Sequence, residues 1–563
     1  MHPRRGRGEP AVRHCGRPAA LAALVALSLS GALAASGARA GQYHNPVLPG
    51  FYPDPSICRI GGDYYLATSS FEYFPGVPIF HSKDLVHWRQ LGHALTRASQ
   101  LPLAGQRSSG GIYAPTLRCA DGRLTLVTTN VGAGGNFLVQ ASDPAGPWSE
   151  PVWIDEKESG IDPSLLFDSD GKVYLARQDG GEHGGINLAE IDVASGKLKG
   201  PSTRIWNGTG GVWPEGPHLY KIGRWYYLVI AEGGTSYNHA VTMARATSPW
   251  GPFEAAPNNP VLTQRDHPRW PLQASGHADL VQTPKGRWFM VLLGVRPAAA
   301  AHPRQRQRQH PAPRQHHLGR ETLLAPLEWT ADGWLVVNRG AALSTTMTAR
   351  GLPAPHRWPA TAVRDDFNAR LPGLAWNFLR GPGDGLWSLE EKPGSLRLKG
   401  ARVSLDDIGT PAFVGRRQQH FRMRAATLLA FTPDGPGQSA GLALRMNEDN
   451  HYQLVVAGAA NGARVIRLVV RVKGVTTIVR EAPVKPGKVA LSVRAYPDRY
   501  VFGYRAGAAQ VVDFASAPTA ALSAEQAGGF TGVFVGMVAH NGGAGCMPPA
   551  DFDWFDYQPL ERR

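Results

Sequence analysis

Cysteine is scarce in this chain, four among 563 residues. Cys15 precedes a run of small apolar residues from Ala19 to Ala35, so it does not fit a lipid-attachment cysteine. The other three, Cys58, Cys119 and Cys546, allow at most one bridge and a free thiol, and no spacing among them resembles a metal knuckle. A disulfide scaffold and a zinc module are excluded. Charge is also sparse, with 18% Asp, Glu, Lys and Arg and a net +15. The first 40 residues hold six arginines against one glutamate, and 297–315 holds four arginines and no acid, so nine of the fifteen charges lie in those two segments. No helix-borne basic stripe with interleaved aromatics is present, which argues against nucleic acid as a partner.

The N-terminal segment reads as an address. Arg4, Arg5, Arg7, Arg13 and Arg17 form a basic region, the apolar run follows, and Ala38-Arg39-Ala40 suits signal peptidase. Residues 1–40 are therefore expected to be a signal peptide, with a mature chain from Gly41 that is secreted or periplasmic and has no membrane anchor after cleavage.

What is abundant is glycine (66), proline (46) and aromatics (9%), a composition of short strands and turns, in a chain too long for one core. Five segments repeat one pattern, a glycine turn followed by a hydrophobic, aromatic-rich strand: Gly62-Asp63-Tyr64-Tyr65-Leu66, Gly122-Arg123-Leu124-Thr125-Leu126, Gly171-Lys172-Val173-Tyr174-Leu175, Gly223-Arg224-Trp225-Tyr226-Tyr227 and Gly286-Arg287-Trp288-Phe289-Met290. The glycines are 60, 49, 52 and 63 positions apart. A second turn signal follows in each unit, near Ser82-Lys83-Asp84-Leu85, Ser142-Asp143-Pro144, Asp192-Val193, Ser248-Pro249-Trp250 and Asp332-Gly333-Trp334. Two interleaved signals in fivefold order favour a five-bladed β-propeller over a sandwich. Its expected bounds are 41–350.

Eight or nine residues before each repeat glycine stand Asp54, Tyr113, Asp162, Glu215 and His277. In a propeller these equivalent positions converge on one axis. Asp54 and Asp162 each precede a proline, which predicts extended backbone at both. Two or three carboxylates at one pocket are the equipment of glycoside hydrolysis, one protonating the leaving oxygen and another activating water. A single Asp-Pro pair is ordinarily a turn; the shared phase is what singles these acids out.

The motifs His44-Asn45-Pro46-Val47-Leu48-Pro49-Gly50-Phe51-Tyr52-Pro53-Asp54-Pro55-Ser56, Gly160-Ile161-Asp162-Pro163-Ser164, Trp213-Pro214-Glu215-Gly216-Pro217-His218, Gly276-His277-Ala278-Asp279 and Leu318-Gly319-Arg320-Glu321 together resemble glycoside hydrolase family 43, its β-xylosidase-like members, from about Tyr43 to the C-terminus. The resemblance implies an inverting hydrolase with Asp54 as general base, Glu215 as general acid and Asp162 tuning the acid, whose proton a nearby negative charge would hold more tightly. Trp213, two residues upstream of the acid, is an expected source of desolvation. His277 would lie beneath the sugar and hold water or a structural cation, against a plain core histidine. Arg320 would contact a sugar hydroxyl, against a surface salt bridge. Phe71 would wall the non-reducing-end subsite, against core packing, and Thr235 matches a position near the acid. No cofactor is required, although the resemblance leaves room for a structural calcium ion in the channel.

Two features depart from that pattern. Tyr113 stands where many β-xylosidases of the family carry tryptophan, which points toward arabinofuranosides. Residues 298–315, rich in Arg, Gln, Pro and His, form a low-complexity insertion just before Arg320. From 364 to 563 the repeat gives way to alternating strands such as Val489-Ala490-Leu491-Ser492-Val493, expected as a β-sandwich after a proline-marked linker at 351–363. The resemblance makes it an accessory domain whose loop closes the pocket, with Phe530 as the aromatic that reaches across, against Phe530 in the sandwich core. The expected activity is exo-acting release of xylose from xylo-oligosaccharides. The alternatives are α-L-arabinofuranosidase activity on arabinoxylan or arabinan and, in a different class, a non-catalytic sugar-binding propeller.

Overall fold

The computed structural model describes residues 41–155, 160–298 and 314–560. The signal peptide expected at 1–40 and nearly all of the low-complexity insertion lie outside these residues. Within them the chain is all-β, its one α-helix being the single turn Ala524–Ala527.

Five antiparallel sheets follow one another in sequence. Sheet I runs through Ser56–Ile60, Asp63–Ala67, Gly76–Ser82 and Arg89–Leu95, and sheet II through Thr116–Ala120, Arg123–Asn130, Gly135–Ala141 and Val152–Trp153. Sheet III runs through Ile161–Phe167, Val173–Asp179, Gly185–Asp192 and Lys197–Leu198, with Thr203–Trp206 added at its edge. Sheet IV runs through Glu215–Ile222, Trp225–Glu232, Ala240–Ala246 and Glu254–Ala255, with Leu262–Thr263 beside it. Sheet V comprises Gln273–Gln282, Trp288–Val295, Glu321–Trp329 and Leu335–Val337. All five repeat glycines fall at the turn between first and second strands, and all five second signals fall between the third and the fourth.

The first strands touch in a closed cycle, I with II, II with III, III with IV, IV with V and V with I. Second strands such as Trp225–Glu232 are buried almost throughout, because neighbouring sheets cover both of their faces. That is why they read as continuous apolar runs. Cys58 of sheet I and Cys119 of sheet II form a disulfide, leaving Cys546 free and exposed.

The remainder forms two antiparallel sheets whose inner faces share one hydrophobic cluster, including Met423, Leu442, Leu454, Val493 and Phe552. Here strands alternate, as in Val489–Ala495, with every second residue buried, since only one face is covered. The two halves are tied together. Tyr73–Phe74 pairs with Phe378–Leu379, and Arg417 donates from Nε to the Phe51 carbonyl at 2.6 Å. Buried Arg445 reaches Glu72 at 3.2 Å, the Tyr73 hydroxyl at 3.1 Å and Ser108 Oγ at 2.6 Å.

Candidate active site

Three of the five first strands break register where the motif residues sit. In sheet III the shift spans Ile161 to Ser164, in sheet IV Glu215 to His218, and in sheet V Gly276 to Asp279. A bulge of this kind turns a side chain away from the pleat. The backbone is left-handed at three of the motif residues, with φ of 53° at Asp54, just before the first strand of sheet I, 56° at Asp162 and 50° at His277. This corrects the extended geometry expected before proline. The ring of the following proline disfavours the right-handed helical region, and at both aspartates the chain escapes into the left-handed region instead. Such non-glycine residues cost about 1–3 kcal/mol each and cluster at functional sites. Glu215 is followed by Gly216 at φ 59°, where a Cβ would come within 2.9 Å of the His277 ring, so glycine is required.

These strands bring the predicted residues together. Asp54 accepts from Arg320 Nη1 at 2.7 Å on one oxygen and from Ser69 Oγ at 2.5 Å on the other. Asp162 Oδ2 accepts from Gly216 N at 3.1 Å, and Thr235 Oγ1 donates to Glu215 Oε1 at 3.4 Å. His277 Nδ1 lies 3.9 Å from Asp54 Oδ1 and 4.0 Å from Asp162 Oδ2. All of these except Thr235 are buried, Glu215 at the rim of that range with 9% exposure. Arg320 is thus no surface salt bridge.

Electrostatics follow from that burial. Glu215 is pushed up to about 7, first by desolvation and then by the charge of Asp54, against Arg320 and the Thr235 hydrogen bond. Burial and the charges of Glu215 and Asp54 raise Asp162 as well. The two carboxyls therefore compete for a proton. Burial lowers His277, which keeps its imidazole neutral at pH 7.

An aromatic wall stands beside the acids. Phe71, fully buried against Phe51, lies 5.1 Å from Tyr113 and 6.2 Å from Phe530 between ring centroids. Phe530 is 40% exposed, so it is outside the sandwich core. Its amide donates to Ser109 Oγ at 2.8 Å, and its carbonyl accepts from Arg320 Nε at 3.3 Å. Glu525, in the helical turn just before Phe530, accepts from Tyr237 OH at 2.5 Å and from His316 N at 2.9 Å, with His316 Nδ1 2.7 Å away. The second domain thereby contacts Arg320 and the loops beside the acids. A calcium ion asks for six to eight oxygens. Beside His277, Asp54 Oδ1 is taken by Arg320 and Asp162 Oδ2 by Gly216 N, and among the described residues no cluster of three His, Cys, Asp or Glu side chains could hold a metal.

A second buried cluster was not foreseen. Asp279, two residues beyond His277, accepts from Ser56 Oγ at 2.6 Å, Ile57 N at 2.9 Å, Arg118 Nη1 at 2.9 Å and Tyr220 OH at 2.5 Å. Arg118 Nη2 also lies 2.7 Å from His218 Nδ1. Sheets I, II, IV and V meet in this knot. The motif residues Asp279 and His218 were the available sign of it, one alternate position along the strand from His277 and three residues beyond Glu215.

Comparison with known proteins accords with this geometry. The family model for glycosyl hydrolases family 43 matches residues 43–335, and that for the beta xylosidase C-terminal Concanavalin A-like domain matches 364–558. The non-reducing end alpha-L-arabinofuranosidase BoGH43B of Bacteroides ovatus is 45% identical over 92% of this chain and 95% of its own length. A xylosidase/arabinosidase of Butyrivibrio fibrisolvens is 38% identical over 92% and 99%. The solved structure of the Bacteroides ovatus xyloglucan PUL GH43B protein superposes with a TM-score of 0.86 at 44% identity, covering 92% of this chain and all of the other. With buried acids on converging strands, a matching catalytic model and a matching C-terminal model, this chain belongs to glycoside hydrolase family 43.

Proposed function

We propose that this chain is an exported, exo-acting, inverting hydrolase that removes single pentoses from non-reducing ends, with α-L-arabinofuranosides as its better substrates and β-D-xylosides also accepted. We read the five sheets as blades of a propeller spanning 41–350, joined through 351–363 to a sandwich from 364. The observation that carries the reading is the unequal treatment of two carboxyls. Asp54 is held by a guanidinium, while among the described residues Glu215 has no cation in hydrogen-bonding contact, and it keeps its proton up to about pH 7.

Each then has one task. Water oxygen bonds to the anomeric carbon as the bond to the leaving oxygen breaks; Asp54 takes the water proton and Glu215 gives its own to the leaving group. Arg320 orients Asp54 and reaches a sugar hydroxyl, Asp162 holds Gly216 and hence the acid, and neutral His277 packs beneath. The wall of Phe71, Tyr113 and Phe530 closes the glycone side, which limits the pocket to a chain end. Preference for the furanoside rests on Tyr113, smaller than tryptophan and anchored by its hydroxyl on the Ser109 carbonyl at 3.1 Å, and on the name of the 45% relative.

Paired kinetics on nitrophenyl α-L-arabinofuranoside and β-D-xyloside, with the product anomer followed by NMR, test this. A higher kcat/KM on the arabinoside with inverted product is expected. Retained configuration would overturn Asp54 as base, and a clear xyloside preference would reverse the substrate order. Glu215→Gln should lower kcat on natural glycosides by about 10²–10⁴ fold. Unchanged turnover in that variant would remove Glu215 from the mechanism.

A further inference from the structure

Trp213 is a large aromatic left 39% exposed two residues before the buried acid. Its backbone is left-handed at φ 54°, a conformation that a bulky residue rarely adopts. Two hydrogen bonds hold it there, from Trp213 N to the Glu182 carbonyl and from Gly233 N to the Val212 carbonyl, both 2.8 Å. The indole bridges two hairpins by lying over glycines. A Cβ at Gly234 would stand 3.2 Å from the indole Cδ1, and one at Gly181 3.8 Å from its six-membered ring, and both glycines have positive φ. Loops of sheets III and IV thus seat an indole, tightly at Gly234, that the other described residues leave exposed. Packing does not account for this, because burial is where an indole stabilises a fold.

Position gives it a use. The Phe71, Tyr113 and Phe530 wall lies on the side of Asp54 and Arg320, against the sugar being released. Glu215 must face the leaving oxygen, so what lies outward from Glu215 is the leaving group. We propose that Trp213 is the platform for that leaving group, stacking its exposed face on the apolar face of the sugar ring next to the cleaved bond, and so selecting oligosaccharides over simple glycosides. This rests on the exo-hydrolase reading above. A ring stacked in both the ground and transition states contributes uniform binding, so its loss raises KM and leaves kcat in place.

The test compares substrates with and without a leaving sugar: xylotriose against β-D-xylosyl fluoride, and an arabinofuranosyl-substituted xylo-oligosaccharide against α-L-arabinofuranosyl fluoride. Trp213→Ala is expected to raise KM about threefold to tenfold on the oligosaccharides and to leave the fluorides unchanged, with Trp213→Phe restoring most of the loss. Equal losses on both substrate kinds, with the basic limb of the pH profile displaced, would overturn the proposal and make Trp213 a desolvating neighbour of Glu215. No loss on either would also overturn it. Wild-type protein inert toward all four substrates would instead defeat the hydrolase reading, so the two failures are distinguishable.

Discussion

Two buried charge clusters lie two or three residues apart on the same strands, and they treat the same residue types in opposite ways. Around Asp279, hydroxyls, a backbone amide and Arg118 satisfy one carboxylate, and that pairing holds it well below the usual aspartate range. Around Glu215 and Asp162, a third carboxyl, Asp54, crowds a site with one guanidinium among the described residues, and burial pushes both upward. Saturation marks the cluster that holds sheets together. Shortage marks the one to which we assign the chemistry.

The largest effect should come from breaking the saturated cluster. Asp279→Asn leaves Arg118 buried without its charge partner, and a loss of roughly 3–5 kcal/mol is expected in urea unfolding. Substrate affinity in the remaining folded protein should change little. If Asp279→Asn melts like the wild type but loses activity, the division between the clusters is wrong.

A sharper test uses pH. Folded Glu215 binds a proton that the unfolded chain releases near pH 4.3, so stability should fall as pH rises from about 4.5 to 7. For Asp279 the sign is opposite: the unfolded chain takes up the proton first, and stability is lost as pH falls below about 4. Melting curves of Glu215→Gln should reduce the first slope only, and what remains of it belongs to Asp162, which is raised as well. Activity needs the Glu215 proton, so kcat/KM should decline as pH passes about 7; a profile flat to pH 9 would contradict the crowded cluster.

Much of this difference was not legible from the chain. Glycine turns and acidic motifs share a phase, so the five-unit order and the three acids could be read together. The backbone at Asp54 and Asp162 is not legible from the chain, because proline rules out one region without selecting between the two that remain. The knot at Asp279 was invisible because its partners Ser56, Arg118, His218 and Tyr220 come from different sheets with no periodic relation. Arg445 and Glu72 are 373 positions apart, a pairing that local pattern cannot indicate.

The smallest effect concerns the loop that carries Phe530. Glu525→Ala removes its bonds to Tyr237 and His316, partly exposed contacts worth about 0.2–1 kcal/mol. A rise in KM of about fivefold or less is expected, with kcat retained. A large fall in kcat would place this loop inside the chemistry and blur the contrast drawn between the two clusters.

Arg320 holds Asp54 with one nitrogen and the Phe530 carbonyl with another. The docking of the C-terminal half is therefore sensed by the carboxylate at the opposite end of the polypeptide. Assembly of the two halves therefore completes the setting of Arg320, since the guanidinium that holds Asp54 gains its Phe530 contact only when the last two hundred residues are docked.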